Sequence, residues 1–504
     1  MKSNYIPPRY KVKIDRDLCI QCGICAKQCG FEAISFKDGV VKADSRKCAK
    51  CLRCASYCPA GAISIEERNE RIGTGDYWSS QVISNVIRQS ATGGILLGAM
   101  GSEVKQPPYF DRILLNASQV TNPSIDPLRE PMEIRTYLGG KPESVQVAET
   151  ENGFRLNSEV PAQVRLDVPI VFAAMSYGSI SHNAHLALAM AAEELGTLYN
   201  TGEGGLHREL RRFGQNTIVQ VASGRYGLDI DYLNTGRVIE IKVGQGAKPG
   251  IGGHLPGKKV NAEVAATRMI PEGSDAISPA PHHDVYSIED LSQLIHALKE
   301  ATQYQKPVAV KIAAVHNVAA IASGIARAGA DIISIDGFRG GTGAAPVVTR
   351  DNVGIPIELA LAVVDQRLRD ERIRHRVSLL VGGGIRSSAD VIKAIALGAD
   401  AVYIGTAALI ALGCRCCRSC TTGKCSWGIA TQDPEKVKRL DPYEGKTRVV
   451  NLVKAWAHEI KDIMGGMGLN TIESLRGNRL HLRGIGMTQK ELDLLGIKHA
   501  GEGA

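Results

Sequence analysis

Between residues 19 and 58 one cysteine pattern occurs twice, and nothing else in the chain restricts its fold as tightly. Cys19-x2-Cys22-x2-Cys25-x3-Cys29 is followed by Cys48-x2-Cys51-x2-Cys54-x3-Cys58-Pro59. A cubane of iron and sulfide needs a thiolate at each iron. A C-x2-C-x2-C loop supplies three, and the fourth comes from the other repeat. Cys19, Cys22, Cys25 and Cys58 are therefore expected to hold one [4Fe-4S] cluster, and Cys48, Cys51, Cys54 and Cys29 a second. Zinc also accepts thiolates, but its motifs seldom place four cysteines at this compact spacing twice over. The thirteen cysteines fall in only two segments of a 504-residue chain, which favours clusters over a disulfide framework.

Residues 10 to 68 resemble the bacterial-type two-cluster ferredoxins, with one departure: the first repeat ends in Cys29-Gly30 where proline is usual. The formal charge of +8 is interspersed, so no basic stripe suggests nucleic acid. The N-terminus lacks an apolar signal core and no apolar run is long enough for a bilayer. A cytoplasmic protein without membrane partners is expected.

After a connecting region (69 to 160), with a helix expected at Tyr77 to Gln89, short apolar runs alternate with helical stretches from 161 to 475. Eight runs read as strands: 168–174, 197–200, 217–223, 238–243, 308–314, 331–336, 377–383 and 401–406. Parallel strands need helical crossovers, so the fold class is α/β: a TIM-type (β/α)8 barrel preceded by a small α+β ferredoxin domain, with a C-terminal extension from 476 to 504. DAISPAP (275 to 281) carries two prolines and reads as an insertion rather than a central strand.

In such barrels function sits on the loops after the strands, and phosphate is often gripped after strands seven and eight. Those loops read Gly382-Gly383-Gly384-Ile385-Arg386-Ser387 and Gly405-Thr406, and the loop after strand six is FRGGTGAAP, with Gly341 and Gly343. Bare backbone N–H groups approach a phosphate closely. A single glycine loop is as readily a simple turn, but two adjacent ones point to FMN. Directly after the last strand, Cys414, Cys416, Cys417, Cys420 and Cys425 fall at the barrel mouth, where a cluster could relay electrons between the ferredoxin domain and the pocket.

The motifs MSYGSIS, QVASGRYG, QGAKPG, SPAPHHDVYSIEDL, GGTGAAP and GIATQDP resemble the FMN-binding synthase domain of glutamate synthase over roughly residues 75 to 475, and the fused ferredoxin segment resembles the archaeal-type form of that family. The resemblance implies reductive amination of 2-oxoglutarate with ammonia to L-glutamate by reduced FMN. The family's Cys-x5-Cys-x4-Cys pattern for a [3Fe-4S] cluster maps onto Cys414, Cys420 and Cys425. Cys417 adds a possible fourth ligand at cubane spacing, which favours [4Fe-4S] and leaves both forms open, with Cys416 a bystander.

By the same resemblance Lys248 and Arg268 bind the oxo acid, and Met175, Ser176 and Gln220 contact flavin, with Lys242 a neighbour. Lys311, near the end of strand five, is placed to stabilise negative charge on reduced flavin. GIGGHLPG (250 to 257) departs from the GEGGQLPG of the long glutamate synthases, and His254 is expected to reach a substrate carboxylate, with substrate choice in doubt. His282 and His283 are expected to pack or position rather than bind metal.

The chain begins Met1-Lys2, shows no glutaminase nucleophile and has no GxGxxG turn between a strand and a helix. The expectation is a core served by a separate glutamine amidotransferase subunit and by an NAD(P)H-oxidising reductase subunit or ferredoxin. Rival readings are a related FMN enzyme that acts on another oxo acid or joins an amine to glutamate, and an electron-transfer subunit with an idle pocket.

Overall fold

The computed structural model describes residues 8–68, 78–142, 144–151, 153–158 and 160–502. Eight parallel strands close into a barrel: β1 (Ile170–Phe172), β2 (Tyr199–Asn200), β3 (Thr217–Ala222), β4 (Val238–Lys242), β5 (Val308–Ala313), β6 (Ile332–Asp336), β7 (Ser378–Gly382) and β8 (Ala401–Ile404). β8 pairs with β1, Val402 opposite Ile170. Each strand is covered on both faces, so its apolar residues run on rather than alternate: every residue of β3 and of β5 is buried. The insertion lies outside the barrel, Ala276–Ile277 pairing with His254–Leu255.

The N-terminal domain is two-fold in pattern. Tyr10–Ile14 pairs with Ile63–Glu67 and Ile34–Lys37 with Val40–Ala43, while the short helices Ile24–Gln28 and Arg53–Ser56 start at the equivalent left-handed residues Gly23 and Leu52. The expected helix in the connecting region runs Ser80–Thr92, its N-terminus capped by Ser79; Tyr77, where it was expected to begin, lies outside the described residues.

Two long-range ties bring the flanks onto the barrel. Leu97–Gly98 pairs with Ala345–Pro346, and Met100 N–H donates to Thr342 O (2.7 Å), so the connecting region crosses the barrel mouth. At the other end the C-terminal strand Leu482–Gly484 pairs with Ile113–Leu115, while Arg476 and Arg479 bond the buried carboxylates of Asp400 and Asp365. Among the described residues no helix is long and apolar enough to cross a membrane.

Candidate active site at the barrel mouth

One cavity at the C-terminal ends of the strands collects nearly all the residues singled out from sequence. Met175, Ser176, Gln220, Lys242, Lys248, His254, Arg268 and Lys311 line it, as do Gly341, Gly343, Gly383, Gly384, Gly405, Thr406, Cys414, Cys417, Cys420 and Cys425. Arg386 does not. Its guanidinium is taken by Asp390 and Asp111, two carboxylates that neutralise it. Arg339 lines the cavity instead, its Cβ beside Gly384.

Below the mouth the barrel interior is tied by Glu240 on β4. This wholly buried side chain accepts from Asn200 Nδ2 (2.8 Å), Gln220 Nε2 (2.6 Å), Ser334 Oγ (2.6 Å) and Tyr403 OH (2.9 Å). The donors sit on β2, β3, β6 and β8, and four donors on two oxygens match an acceptor-only carboxylate. Burial, with Glu240 close by, pushes the Tyr403 phenol well above its ordinary value, so it stays a donor. The network fixes Gln220 and Tyr403, both of which face the cavity.

The side near the β1, β2 and β4 loops is cationic. Lys242 Nζ lies 3.0 Å from Glu203, which also accepts from Ser278 Oγ (3.3 Å). Burial pushes the Glu203 carboxyl up, but Lys242, with Lys248 and Arg268 nearby, outweighs burial and the net shift is downward. Lys248 is buried, donates to Ala344 O (3.0 Å), and burial together with Lys242 lowers its ammonium to about 8. Arg268 is held by Tyr177 O through Nη2 (2.8 Å) and Nε (3.2 Å). Lys311 is 6% exposed and makes no ion pair among the described residues; it lies 5.6 Å from the Tyr403 ring centre. With Lys242, Lys248, Arg268 and Lys311 against Glu203, this side of the cavity carries a surplus of positive charge that suits an anion. His254 sits on the rim, paired with Asp275 at 3.1 Å, and His282 Nε2 bonds Lys242 O at 2.8 Å.

The opposite side suits a phosphate and a flat ring. Gly383 and Gly384 adopt φ of +123° and +98°, and a Cβ on Gly383 would come within 2.8 Å of Gly337 N. Only glycine brings these backbone groups so close to the cavity without strain. These glycines, Arg339 and the apolar Met100 and Met175 fit a mononucleotide. The first turn of the following helix, Ser388–Leu397, is already capped by Ser387, and Asp390 takes the Arg386 N–H. The glycine loops, rather than that helix end, are thus the part of this wall suited to an anion.

The cysteines form three groups. Cys19, Cys22, Cys25 and Cys58 line one small pocket in the N-terminal domain. Cys54, pushed up to about 12 by burial, faces Cys51, Cys29 and Cys48. Cys417 and Cys420 at the mouth are raised to about 12 and about 11, burial again the main cause. Buried thiols crowded together release their protons readily only to a metal, so the second and third groups fit a thiolate-bound cluster, and the first fits one through four cysteines gathered on a single pocket. Cys416 does not line the cavity.

The N-terminal domain docks on the mouth beside this third group. Trp427 Nε1–H donates to Cys51 O (2.8 Å), Gly30 N–H donates to Ser426 Oγ (2.9 Å), and Cys51 Sγ lies 3.5 Å from the same Oγ. Arg53 stacks over Trp427 (4.9 Å) and Arg439 donates to Gln28 O and Lys27 O. A Cβ on Gly30 would fall 2.7 Å from Lys424 O. The missing proline has its reason here: the seam needs the N–H and has no room for a ring. Phe31, Met100, Glu203, Arg339 and Trp427 all line the cavity, yet none was singled out from sequence. Only GEGG, a carboxylate among glycines after a strand, carried a usable signal.

Fold and site together define an α/β barrel with a cationic strand-end cavity, flanked by three groups of cysteines. Residues 104–470 match the family model described as the conserved region in glutamate synthase, and residues 12–35 match a 4Fe-4S binding domain. The chain is 61% identical to the archaeal-type glutamate synthase (NADPH) of Thermotoga maritima and 57% identical to the archaeal glutamate synthase (NADPH) of Methanocaldococcus jannaschii, with all of each chain covered. It is 42% identical to the glutamate synthase (NADPH) large chain of Azospirillum brasilense over 64% of this chain and 22% of that one. The chain belongs to the glutamate synthase family, in the form that carries a 4Fe-4S binding domain.

Proposed function

We propose that this chain is the synthase core that reductively aminates 2-oxoglutarate with ammonia to L-glutamate. The observation that carries the reading is Lys248, Arg268, Lys242 and Lys311 lining one cavity with the glycine loops and the third cysteine group. Reduced FMN, when bound, supplies a hydride. Arg268 and Lys248 hold the two carboxylates of the oxo acid, a fork and an ammonium suiting a dicarboxylate. Glu203, kept ionised by Lys242, is placed to take a proton from the incoming amine. The bare amides of Gly341, Gly343, Gly383, Gly384 and Gly405, with Thr406 and Arg339, would hold the FMN phosphate, and Lys311 would face the ring.

The four cysteines Cys19, Cys22, Cys25 and Cys58 would hold an outer [4Fe-4S] cluster, and Cys29, Cys48, Cys51 and Cys54 an inner one. The seam supports this order, because Cys51 meets Ser426 and Trp427 while Cys22 is exposed beside Leu18 and Ile20. Cys414, Cys417, Cys420 and Cys425 would hold the third cluster. A reductase subunit or ferredoxin would deliver electrons at the outer cluster, and a separate amidotransferase would supply ammonia.

Two outcomes test this reading. Lys248 loses its charge as pH rises through about 8, so KM for 2-oxoglutarate should rise about tenfold per pH unit above that point, with kcat less affected. Lys248→Met should have a high KM with no such rise; a wild-type KM flat to pH 10 would remove Lys248 from the substrate. At the seam, Gly30→Pro loses a buried hydrogen bond and overpacks, costing about 2–4 kcal/mol. Stopped-flow flavin reduction by reduced ferredoxin should slow at least about tenfold, whereas an unchanged rate would place electron entry elsewhere.

A further inference from the structure

Outside the cavity, at the start of the helix His182–Glu194, lies a donor cluster that none of the chemistry above uses. His182, His207 and Glu209 each offer one ligand atom, and the three atoms lie within 4.8 Å of one another. The two imidazoles meet edge-on with ring centres 4.6 Å apart. His182 Nε2 lies 3.1 Å from Glu209 Oε2, yet this buried nitrogen makes no hydrogen bond. His207 is 5% exposed, and its Nδ1 receives only a long 3.4 Å bond from Glu209 N–H. Glu263, which accepts from Tyr177 OH at 3.0 Å, adds a second negative charge facing His207.

We infer that His182, His207 and Glu209 bind a zinc-class divalent cation, at a site separate from the cysteine clusters. Neutral imidazole and carboxylate are the ligands such an ion takes, at about 2.0–2.2 Å, and three protein ligands leave a position for water. The buried nitrogen without a hydrogen bond is what this accounts for: His182 Nε2 has no hydrogen-bond partner, and the cluster's three ligand atoms gather within 4.8 Å of one another. In a tetrahedral site neighbouring ligand atoms stand roughly 3.3 Å apart, which the His182–Glu209 pair already nearly matches. Glu209, more than half exposed, is free to close the remainder by rotation.

The cation would pin the start of the helix to the segment that follows Glu203. Tyr177 lies between, its ring centre 5.3 Å from that of His207 and its carbonyl holding Arg268. The bound ion therefore braces the loop that positions Arg268, and stabilises the fold without touching the reacting atoms.

The test is a calorimetric titration of oxidised holoprotein, clusters and flavin in place, with Zn2+. Wild type is compared with His207→Ala, with Glu209→Gln, whose exposed position protects folding, and with His296→Ala, a surface histidine elsewhere. Wild type and His296→Ala should bind one more equivalent than the other two, or bind it at least tenfold tighter, and Zn2+ should raise the thermal midpoint of those two proteins only. Zinc-edge anomalous diffraction should place the ion on the three side chains. Identical isotherms for all four proteins, or zinc found only on cysteines, would overturn the site.

Discussion

Replacing Glu240 by alanine is expected to destabilise the barrel by on the order of 4–6 kcal/mol, a large share of the total for any domain. The side chain is wholly buried and four donors from four other strands converge on it. Alanine leaves those donors without an acceptor, and each orphaned group costs about 1–3 kcal/mol. Partial re-pairing, as Asn200 already does with the Tyr403 hydroxyl at 3.1 Å, keeps the total below the sum. Glu240→Gln keeps the shape but turns one acceptor into a donor and should cost less. Thermal and urea unfolding of the holoprotein would check the order wild type, Gln, Ala. Equal midpoints would mean the network contributes nothing to stability.

Lys311→Met should lower kcat by about 10²–10³-fold, the range seen when one donor that stabilises developing charge is removed. The ammonium is buried, has no ion-pair partner among the described residues, and stands in the strand layer that faces the cavity. An ordinary structural cation would be paired. Methionine matches its length, so folding and cluster content should persist, and the effect should fall on kcat more than on KM. The flavin potential should drop as well, since the positive charge that favours the reduced form is gone. Wild-type kcat in a protein with normal flavin content would assign the charge balance to another residue.

The barrel was legible from sequence because parallel strands buried on both faces read as apolar runs. VPIVFAA contains Ile170–Phe172, and TLYN contains Tyr199–Asn200. The cysteine repeats were equally legible, since ligand spacing is a local property. What escaped was set by tertiary contact. Arg386 reads as a phosphate ligand in sequence, but Asp111, 275 residues earlier, takes its guanidinium, and Arg339 on the neighbouring strand-end loop lines the cavity instead. Glu240 sat inside an apolar strand with nothing to show that its donors would come from four others. Gly30 read as a departure from pattern, and its reason lies across the seam at Ser426 and Lys424.

We propose that this cavity joins ammonia to 2-oxoglutarate with electrons delivered through the clusters. This is tested most directly by a single turnover: anaerobic holoprotein is reduced with dithionite, then mixed with 2-oxoglutarate and ammonium while flavin absorbance and L-glutamate are followed. The flavin should reoxidise with stoichiometric L-glutamate, neither substrate sufficing alone. Reduced flavin that persists without L-glutamate, in protein whose clusters and FMN are intact, would contradict it.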